Sequence, residues 1–158
     1  MSHEPPDDPV VFEVFNEIGI IEQLARNRFE RVLPHGMTLS QFSVLNHFAR
    51  LGGEKSPLAL ARAFQVTKGT MTNTLQRLEA RGFVAVRPDP ADGRAKLVSL
   101  TTAGRAARDA SVAALAPQIA ELERSLSTQG FAGALPWLRE LRRYLDNARD
   151  GDTQASSM

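Results

Sequence analysis

The chain has 158 residues, of which 42% are hydrophobic and 23% charged, with a formal net charge of +1 and no cysteine. This composition is ordinary for a globular protein that is long enough to bury a core. The lack of cysteine excludes disulfides, thiol redox chemistry and thiolate metal sites, and no apolar run approaches the roughly 20 residues of a membrane span. The acidic, proline-rich start does not resemble a signal peptide, so the expected location is cytoplasmic.

The charges are unevenly distributed along the chain. Residues 1–35 contain three Arg and seven acidic residues, residues 36–100 contain nine Lys or Arg and four acidic residues, and residues 101–158 contain seven of each. The positive excess therefore lies in the middle of the sequence. Such a local excess is typical of a nucleic-acid contact surface, although charge alone also fits an ordinary solvated surface.

The first predicted element is a helix of roughly six turns, because apolar residues recur at heptad spacing. The main apolar line consists of Val11, Ile18, Ala25 and Val32. Pro34 and Gly36 are expected to end this helix. Residues 1–9 and 150–158 are small, polar or rich in proline and are predicted to be disordered tails.

Two further helices follow. Either Thr38 or Ser40 is a suitable cap for the second helix, which stops at Gly52. Ser56 is expected to cap a short third helix with Pro57 at its first position, where a missing N–H has no cost. The inner face predicted for the third helix consists of Leu58, Ala61 and Phe64.

The fourth helix and a hairpin complete the middle of the chain. Thr67 is expected to cap a helix that ends at Gly82, and its buried line consists of Met71, Leu75 and Leu78. Residues 83–87 and 96–100 are predicted to be strands, joined by a loop rich in Pro, Asp and Gly. The order of helix, helix and hairpin predicts a helix-turn-helix with a basic wing.

The sequence of residues 101–158 predicts two long helices. The first begins at Thr101 or Thr102 and has an apolar line of Leu115, Ile119, Leu122 and Leu126. The second repeats the heptad spacing at Phe131, Leu138 and Leu145. Pro117 and Pro136 are each expected to mark either a kink or a helix boundary.

The fourth helix carries the residues best suited to the major groove. Its first turns are rich in threonine, which is a poor helix former, so DNA contact is one reason to keep such a sequence. Asn73 has the amide that pairs with adenine, and Lys68 can reach guanine or phosphate. The expected DNA contacts in this region are Thr67, Lys68, Gly69, Thr70, Thr72, Asn73, Thr74 and Arg77.

The hairpin adds a second group of expected DNA contacts. Arg94 follows the Asp92–Gly93 turn, so its guanidinium is expected to reach a minor groove. Asp92 is expected to brace that guanidinium through a charge-assisted hydrogen bond. Arg87 and Lys96 flank the strands and are expected near the DNA backbone.

The segments VTKGTMTNTLQRLEARGFV and PDPADGRAKLVSLTTAG, flanked by long helices, resemble the MarR family of bacterial transcription regulators. The resemblance covers roughly residues 11–148. It implies a mainly α fold with a small β-hairpin wing, in which N- and C-terminal helices intertwine in an obligate homodimer. It assigns the recognition helix to residues 67–80, the wing arginine to Arg94 and its acidic brace to Asp92.

The expected organisation follows from these assignments. An N-terminal dimerisation helix occupies residues 10–35, a winged helix-turn-helix lobe residues 36–100, and C-terminal dimerisation helices residues 101–149. The heptad stripes support a dimer independently, because they exceed what the middle lobe can cover. A single monomeric helical domain is the alternative.

The expected function is sequence-specific binding of double-stranded DNA by a homodimer at a palindromic operator. The residues leave repression and activation open, and repression is the expected mode. The resemblance also implies a small-molecule effector, for which the expected pocket residues are Phe12, Phe15, Arg26, Phe42 and His47. A winged-helix protein–protein assembly module without a DNA site is the alternative function.

No enzymatic activity and no cofactor or metal is expected. The three histidines are widely spaced, and the chain contains no phosphate loop, nucleophile elbow or HExxH motif. Asp89, Asp92 and Gly93 resemble a calcium loop only faintly, because the closing Glu is missing. A proline-flanked turn explains these residues better.

Overall fold

The computed structural model describes residues 9–155, with side chains through residue 148. Within that range the chain forms six α-helices and one two-stranded antiparallel sheet. The elements are α1 (Val10–Glu30), a 3₁₀ turn (Pro34–Gly36), α2 (Leu39–Leu51), α3 (Pro57–Ala63), α4 (Lys68–Ala80), β1 (Val84–Pro88), β2 (Lys96–Leu100), α5 (Thr102–Leu126) and α6 (Thr128–Ala155). The predicted mainly α fold with a β-hairpin wing is confirmed.

Hydrogen bonds from side chains define where the helices begin. The hydroxyl of Thr38, rather than that of Ser40, caps α2: it accepts the Gln41 N–H at 3.2 Å, and the Gln41 side chain accepts the Thr38 N–H in return. Ser56 caps α3 in the same way, with Pro57 at the first helical position. Gly52 ends α2 with a φ of 64°, a left-handed conformation that favours glycine.

Helices α2, α3 and α4 and strand β2 contact one another and enclose the core of a winged-helix lobe. One prediction for this core is wrong. Leu58 is 46% exposed, whereas Leu60 and Ala61 of the same helix are buried. Successive helical residues are rotated by about 100°, so Leu58 and Leu60 lie on opposite sides of α3, and only one side meets α4. The buried apolar residues are Leu33, Met37, Val44, Leu45, Phe48, Leu60, Ala61, Met71, Leu75, Leu78, Phe83, Val84, Val98 and Ala107.

The sheet is a short hairpin with one additional bridge. Strand β1 begins at Val84, one position later than predicted, and pairs with β2 from Val84 opposite Leu100 to Pro88 opposite Lys96. On the other side of β2, Lys55 forms an isolated antiparallel bridge with Val98. The segment between α2 and α3 is thereby attached to the wing.

The two long C-terminal helices run through their prolines. Pro117 lies inside α5 and Pro136 inside α6, so neither marks a helix boundary. Helix α6 continues to Ala155, so the disordered tail predicted from residue 150 is wrong for that stretch. Residues 1–8 and 156–158, which were also predicted to be tails, lie outside the described residues.

The chain divides into two compact units, and the division falls within α5 between Leu115 and Ala116. The first unit contains the winged-helix lobe, including the start of α5, where Gly104, Ala107 and Ser111 are buried. The second unit contains the end of α5 and all of α6. The residues of α4 and of the wing, which are the candidate DNA contacts, all belong to the first unit.

Candidate nucleic-acid interface

Helix α4 is fixed to the core along one side and exposed along the other. Met71, Leu75 and Leu78 are all buried, as predicted, and their spacing keeps them on one face of the helix. Lys68 and Arg77 are exposed. A helix held in this way presents polar and cationic side chains outward without loss of packing.

The threonine-rich first turn of α4 is stabilised by its own hydroxyl groups. The Thr67 hydroxyl accepts the Thr70 N–H at 3.1 Å, and it donates to the Thr70 hydroxyl at 2.9 Å. The Thr74 hydroxyl donates to the Thr70 carbonyl at 3.1 Å. These bonds, together with the buried apolar line, explain how a sequence of low helix propensity forms a helix without DNA.

Asn73 and Arg77 lie one turn apart and are joined by a hydrogen bond. The Arg77 Nε donates to Asn73 Oδ1 at 3.2 Å, and both residues are exposed. The Asn73 amide oxygen is thus engaged within the helix, and its NH₂ group is the donor of this side chain. The pair therefore limits the rotamers of two side chains that the sequence assigns to DNA contact.

The wing loop orients Arg94 through its backbone, which corrects one prediction. The Asp92 carboxylate accepts the Arg94 backbone N–H at 3.0 Å, and among the described residues no hydrogen bond or ion pair joins it to the Arg94 guanidinium. The Asp89 carboxylate accepts the Ala91 N–H at 2.9 Å in a similar turn. Short acidic side chains of this kind hydrogen-bond the backbone two residues on, so they shape the loop and leave the Arg94 side chain exposed.

The two basic residues on the wing strands have different surroundings. Arg87 forms a bidentate pair with Glu54, with Nε–Oε1 and Nη2–Oε2 distances of 2.6 Å each. This pairing raises the pKa of Arg87 and lowers the pKa of Glu54, in both cases chiefly through the hydrogen bonds. Lys96 is exposed at the start of β2. The guanidinium that was predicted to approach the DNA backbone thus has a protein carboxylate as its partner.

A cavity of about 220 Å³ lies behind the recognition helix. Its wall includes Arg26 of α1, Ser43 of α2, Phe64, and Thr70 and Thr74 of α4. Arg26 also forms ion pairs with Glu22 and Glu30 along α1. The cavity combines apolar surface, hydroxyls and one cation, and it touches the helix that carries the predicted base contacts.

The other four predicted pocket residues are not part of the wall of this cavity. Phe12 and Phe15 are exposed on α1, and Phe42 packs half-buried against the core. His47 packs against the cavity-lining residue Phe64, with 5.3 Å between the two ring centroids. Of the five residues, the structure brings only Arg26 to the cavity.

His47 is a partly buried histidine among aromatic rings. Burial lowers its pKa from the ordinary value of 6.5, and the positive charges of Lys55 and Arg50 lower it further. A neutral ring packed against Phe64 and Phe48 is consistent with that direction. His47 therefore contributes to packing in the neutral form.

The described part of the chain contains no cluster of three or more His, Cys, Asp or Glu side chains arranged to hold a metal ion. No described helix combines the length and the apolar character that crossing a membrane requires.

The comparison with curated proteins decides the family. The HTH-type transcriptional repressor NicR of Pseudomonas putida is 31% identical over 147 residues, covering 90% of this chain and 90% of NicR. The chain belongs to the MarR family. A sequence model described as the MarR family also matches residues 35–95. The family and its named relatives are transcription regulators, not enzymes.

Solved MarR-family structures share the fold. A mutant of MarR from Escherichia coli, in complex with operator DNA, has a TM-score of 0.74 and 27% identity and covers 83% of this chain and 94% of its own. BpsR of Bordetella bronchiseptica, described in connection with regulation of its DNA binding by 6-hydroxynicotinic acid, has a TM-score of 0.73 and 27% identity, covering 82% of this chain and 98% of its own. The winged helix-turn-helix predicted from the sequence is confirmed.

Sequence reasoning missed two features of this MarR-family lobe. Glu54 lies 33 positions from Arg87 in the chain, and no local pattern links the two. The Ser43 hydroxyl of α2 meets the Thr70 and Thr74 hydroxyls of α4 at the cavity, and only tertiary packing brings the two helices together. The threonine-rich sequence of α4 is a usable signal for the two threonine hydroxyls, although from the sequence alone it is interpreted as a helix cap and DNA contacts.

Proposed function

We propose that this MarR-family chain binds double-stranded DNA as a homodimer, with α4 in the major groove and the wing at an adjacent minor groove. The observation that carries the proposal is the outward face of α4, where Lys68, Asn73 and Arg77 are exposed on a helix whose opposite side is buried. Exposed Arg94 at the wing loop supplies a guanidinium suited to a narrow minor groove. The remaining contacts proposed are Thr67, Gly69, Thr70, Thr72, Thr74 and Lys96, with Asp92 shaping the loop.

The test of DNA binding is affinity as a function of salt. DNA recovered from sheared genomic fragments with the purified protein supplies cognate duplexes, and a scrambled duplex of the same length is the control. Fluorescence anisotropy should show an affinity that falls linearly on a log–log plot as salt rises, with a slope of about −0.9 for each phosphate contact. Absence of association at low salt would instead favour a protein–protein assembly module.

The proposed dimer rests on the apolar residues that each unit leaves exposed. Helix α1 exposes Val10, Val11, Phe12, Phe15, Ile20, Ile21 and Leu24. The second unit exposes Ile119, Leu126, Phe131, Leu135, Trp137, Leu138, Tyr144 and Leu145. Apolar surface of this extent marks an interface in most soluble proteins, and burying it contributes about 25 cal/mol per Å². A second copy of the chain accounts for both faces, with residues 10–35 and 101–149 as dimerisation segments.

Sedimentation of charged variants tests the dimer. Leu138→Glu places a carboxylate in the apolar stripe of α6 and should shift the protein toward a monomer. Asn147→Glu makes a similar charge change half a helical turn away from the Leu138 direction and is expected to preserve the dimer. A wild-type protein that sediments as a monomer at micromolar concentration contradicts this part of the proposal. Two protomers are needed because half-sites about 34 Å apart must both be occupied.

The proposed effector site is the cavity behind α4. A ligand there contacts α2 and α4 together, so it can alter DNA affinity only if it binds the two positions of α4 unequally. The first probe is 6-hydroxynicotinic acid, because it regulates DNA binding by BpsR, and its carboxylate suits the Arg26 guanidinium. If Arg26→Gln still binds DNA but no longer responds to the compound, the proposed site is supported. If the compound does not change the DNA affinity of the wild-type protein, it is not the effector.

Repression is the proposed mode, since NicR is named as a repressor. A dimer that occupies an operator would exclude the transcription machinery from that DNA. A reporter gene behind the recovered DNA should be transcribed less when the protein is present, and more when Arg94→Ala replaces it. Higher transcription with the wild-type protein would indicate activation. The cytoplasmic location predicted from the sequence belongs to the same proposal.

A further inference from the structure

Glu54 and Arg87 form a bidentate carboxylate–guanidinium pair. The two oxygens of Glu54 face Nε and Nη2 of Arg87 at 2.6 Å each. Parallel hydrogen bonds of this kind define the relative orientation of both groups, unlike a single ion pair. The pair therefore holds a definite geometry although both side chains are partly exposed to solvent.

The backbone around Glu54 is attached to the same hairpin. Lys55 donates its N–H to the Val98 carbonyl at 3.0 Å and accepts the Val98 N–H at 2.8 Å. Val98 of β2 also pairs with Val86 of β1. Glu54 thus starts on one side of β2 and pairs with Arg87 on the strand at the other side, so the ion pair spans β2.

The pair has an electrostatic consequence for a protein that binds DNA. A carboxylate on a phosphate-binding surface is unfavourable, yet Glu54 lies next to the bridge between Lys55 and β2 and is paired with Arg87 of β1. It neutralises Arg87, which would otherwise be a flexible cation able to bind any phosphate. The pair therefore lowers the non-specific attraction to DNA phosphates and gives the wing a defined position.

We propose that Glu54 is a positioning residue which, by holding Arg87, orients the wing and raises the preference for cognate over random DNA. The inference rests on the proposed DNA-binding function and deepens it. It replaces the role that the sequence suggested for Arg87, because that guanidinium acts on Glu54 and not on a phosphate. Arg94 then reaches its groove from a wing held at both edges of β2.

The first variant is Glu54→Gln, which keeps the size of the side chain and removes its charge. Arg87 becomes available to phosphates, so random DNA should bind about threefold more tightly at low salt, and the log–log salt slope should steepen by about 0.9 per protomer. Cognate DNA should gain less, because the wing is no longer oriented. The ratio of random to cognate Kd should therefore fall by up to about threefold.

Two further variants separate positioning from a general change in charge. Arg87→Gln should lower cognate preference without steepening the salt slope, and in that background Glu54→Gln should change random and cognate affinity equally, with no further loss of cognate preference. Glu79→Gln makes the same charge change on α4, where Glu79 is exposed. Its effect should persist in the Arg87→Gln background and should change random and cognate affinity equally. Thermal unfolding of each variant confirms that the lobe is intact.

Different results would overturn the role of Glu54 alone or the proposed DNA binding as well. A wild-type protein that binds DNA, together with a Glu54→Gln variant of unchanged salt slope and unchanged cognate preference, overturns this inference alone. An effect of Glu54→Gln on cognate preference that persists in the Arg87→Gln background also overturns it, since Glu54 would then act without Arg87. A wild-type protein that binds no DNA overturns the proposed function and this inference together.

Discussion

Gly104 is the position where one added methyl group should cost most. A Cβ built there would lie 1.9 Å from the Phe83 carbonyl oxygen and 2.8 Å from Leu100 Cδ1. The ordinary approach of carbon to oxygen is about 3.3 Å, so α5 would have to move by about 1.4 Å. That movement would strain two bonds: the Thr101 N–H donates to the same carbonyl at 3.2 Å, and the Thr101 hydroxyl donates to the Gly82 carbonyl at 2.6 Å.

The expected loss for Gly104→Ala follows from these contacts. Overpacking costs about 1–3 kcal/mol, and weakening two hydrogen bonds adds about 1 kcal/mol each. The better helix propensity of alanine returns about 1 kcal/mol. The free energy of unfolding should therefore fall by about 2–4 kcal/mol, a large part of the 5–15 kcal/mol that is typical of a domain.

Urea unfolding followed by circular dichroism measures this loss, at equal protein concentrations because dimerisation couples to stability. Gly69→Ala is the matched control, since a Cβ at Gly69 of α4 would have no atom within 4 Å. The control should be neutral or more stable by up to about 1 kcal/mol. Equal unfolding midpoints for the two variants would refute the steric reasoning.

Three other predictions concern DNA binding and pH. Arg94→Ala should weaken DNA binding by about 1–2 kcal/mol with no change in the unfolding midpoint, because the side chain is exposed; anisotropy and thermal unfolding measured together check both parts. Asn73→Ala should cost about 1–3 kcal/mol on cognate DNA and relax preference at one base pair, and equal losses on scrambled DNA would argue against base reading. Burial lowers the pKa of His47 from 6.5, so its contribution to stability is complete above that value and falls as the pH drops, because the unfolded chain takes up the proton first. His47→Gln should flatten the pH dependence of unfolding between about pH 5 and 7, and identical slopes for variant and wild type would show that His47 does not cause it.

The sequence predicted the elements well where the signals were local. Ser56 and Thr67 cap the helices they were expected to cap, and the buried line of α4 is the predicted one. Such signals act within one helical turn, so neighbouring residues suffice to recognise them. Leu58 was assigned to the wrong face because a helix of seven residues is too short for its apolar period to be unambiguous.

Pro117 and Pro136 show a different limit of sequence reasoning. A proline disfavours a helix interior by about 3 kcal/mol, which made a boundary or kink the natural expectation. Both lie inside long helices nevertheless. The other backbone hydrogen bonds of each helix are sufficient to continue it past the missing proline N–H. Their sum depends on all the residues of the helix, which a local reading around the proline does not include.

The order of chain segments, the excess of positive charge in the middle third and the heptad stripes were determined by the amino-acid sequence alone. They established a winged helix-turn-helix with flanking helices, because helix caps, turns and apolar periods are short-range properties. Tertiary structure decided which distant groups meet: Glu54 with Arg87, Gly104 with the Phe83 carbonyl, and Arg26 with the hydroxyls behind α4. These partners come from separate elements, and their proximity exists only after the core has packed.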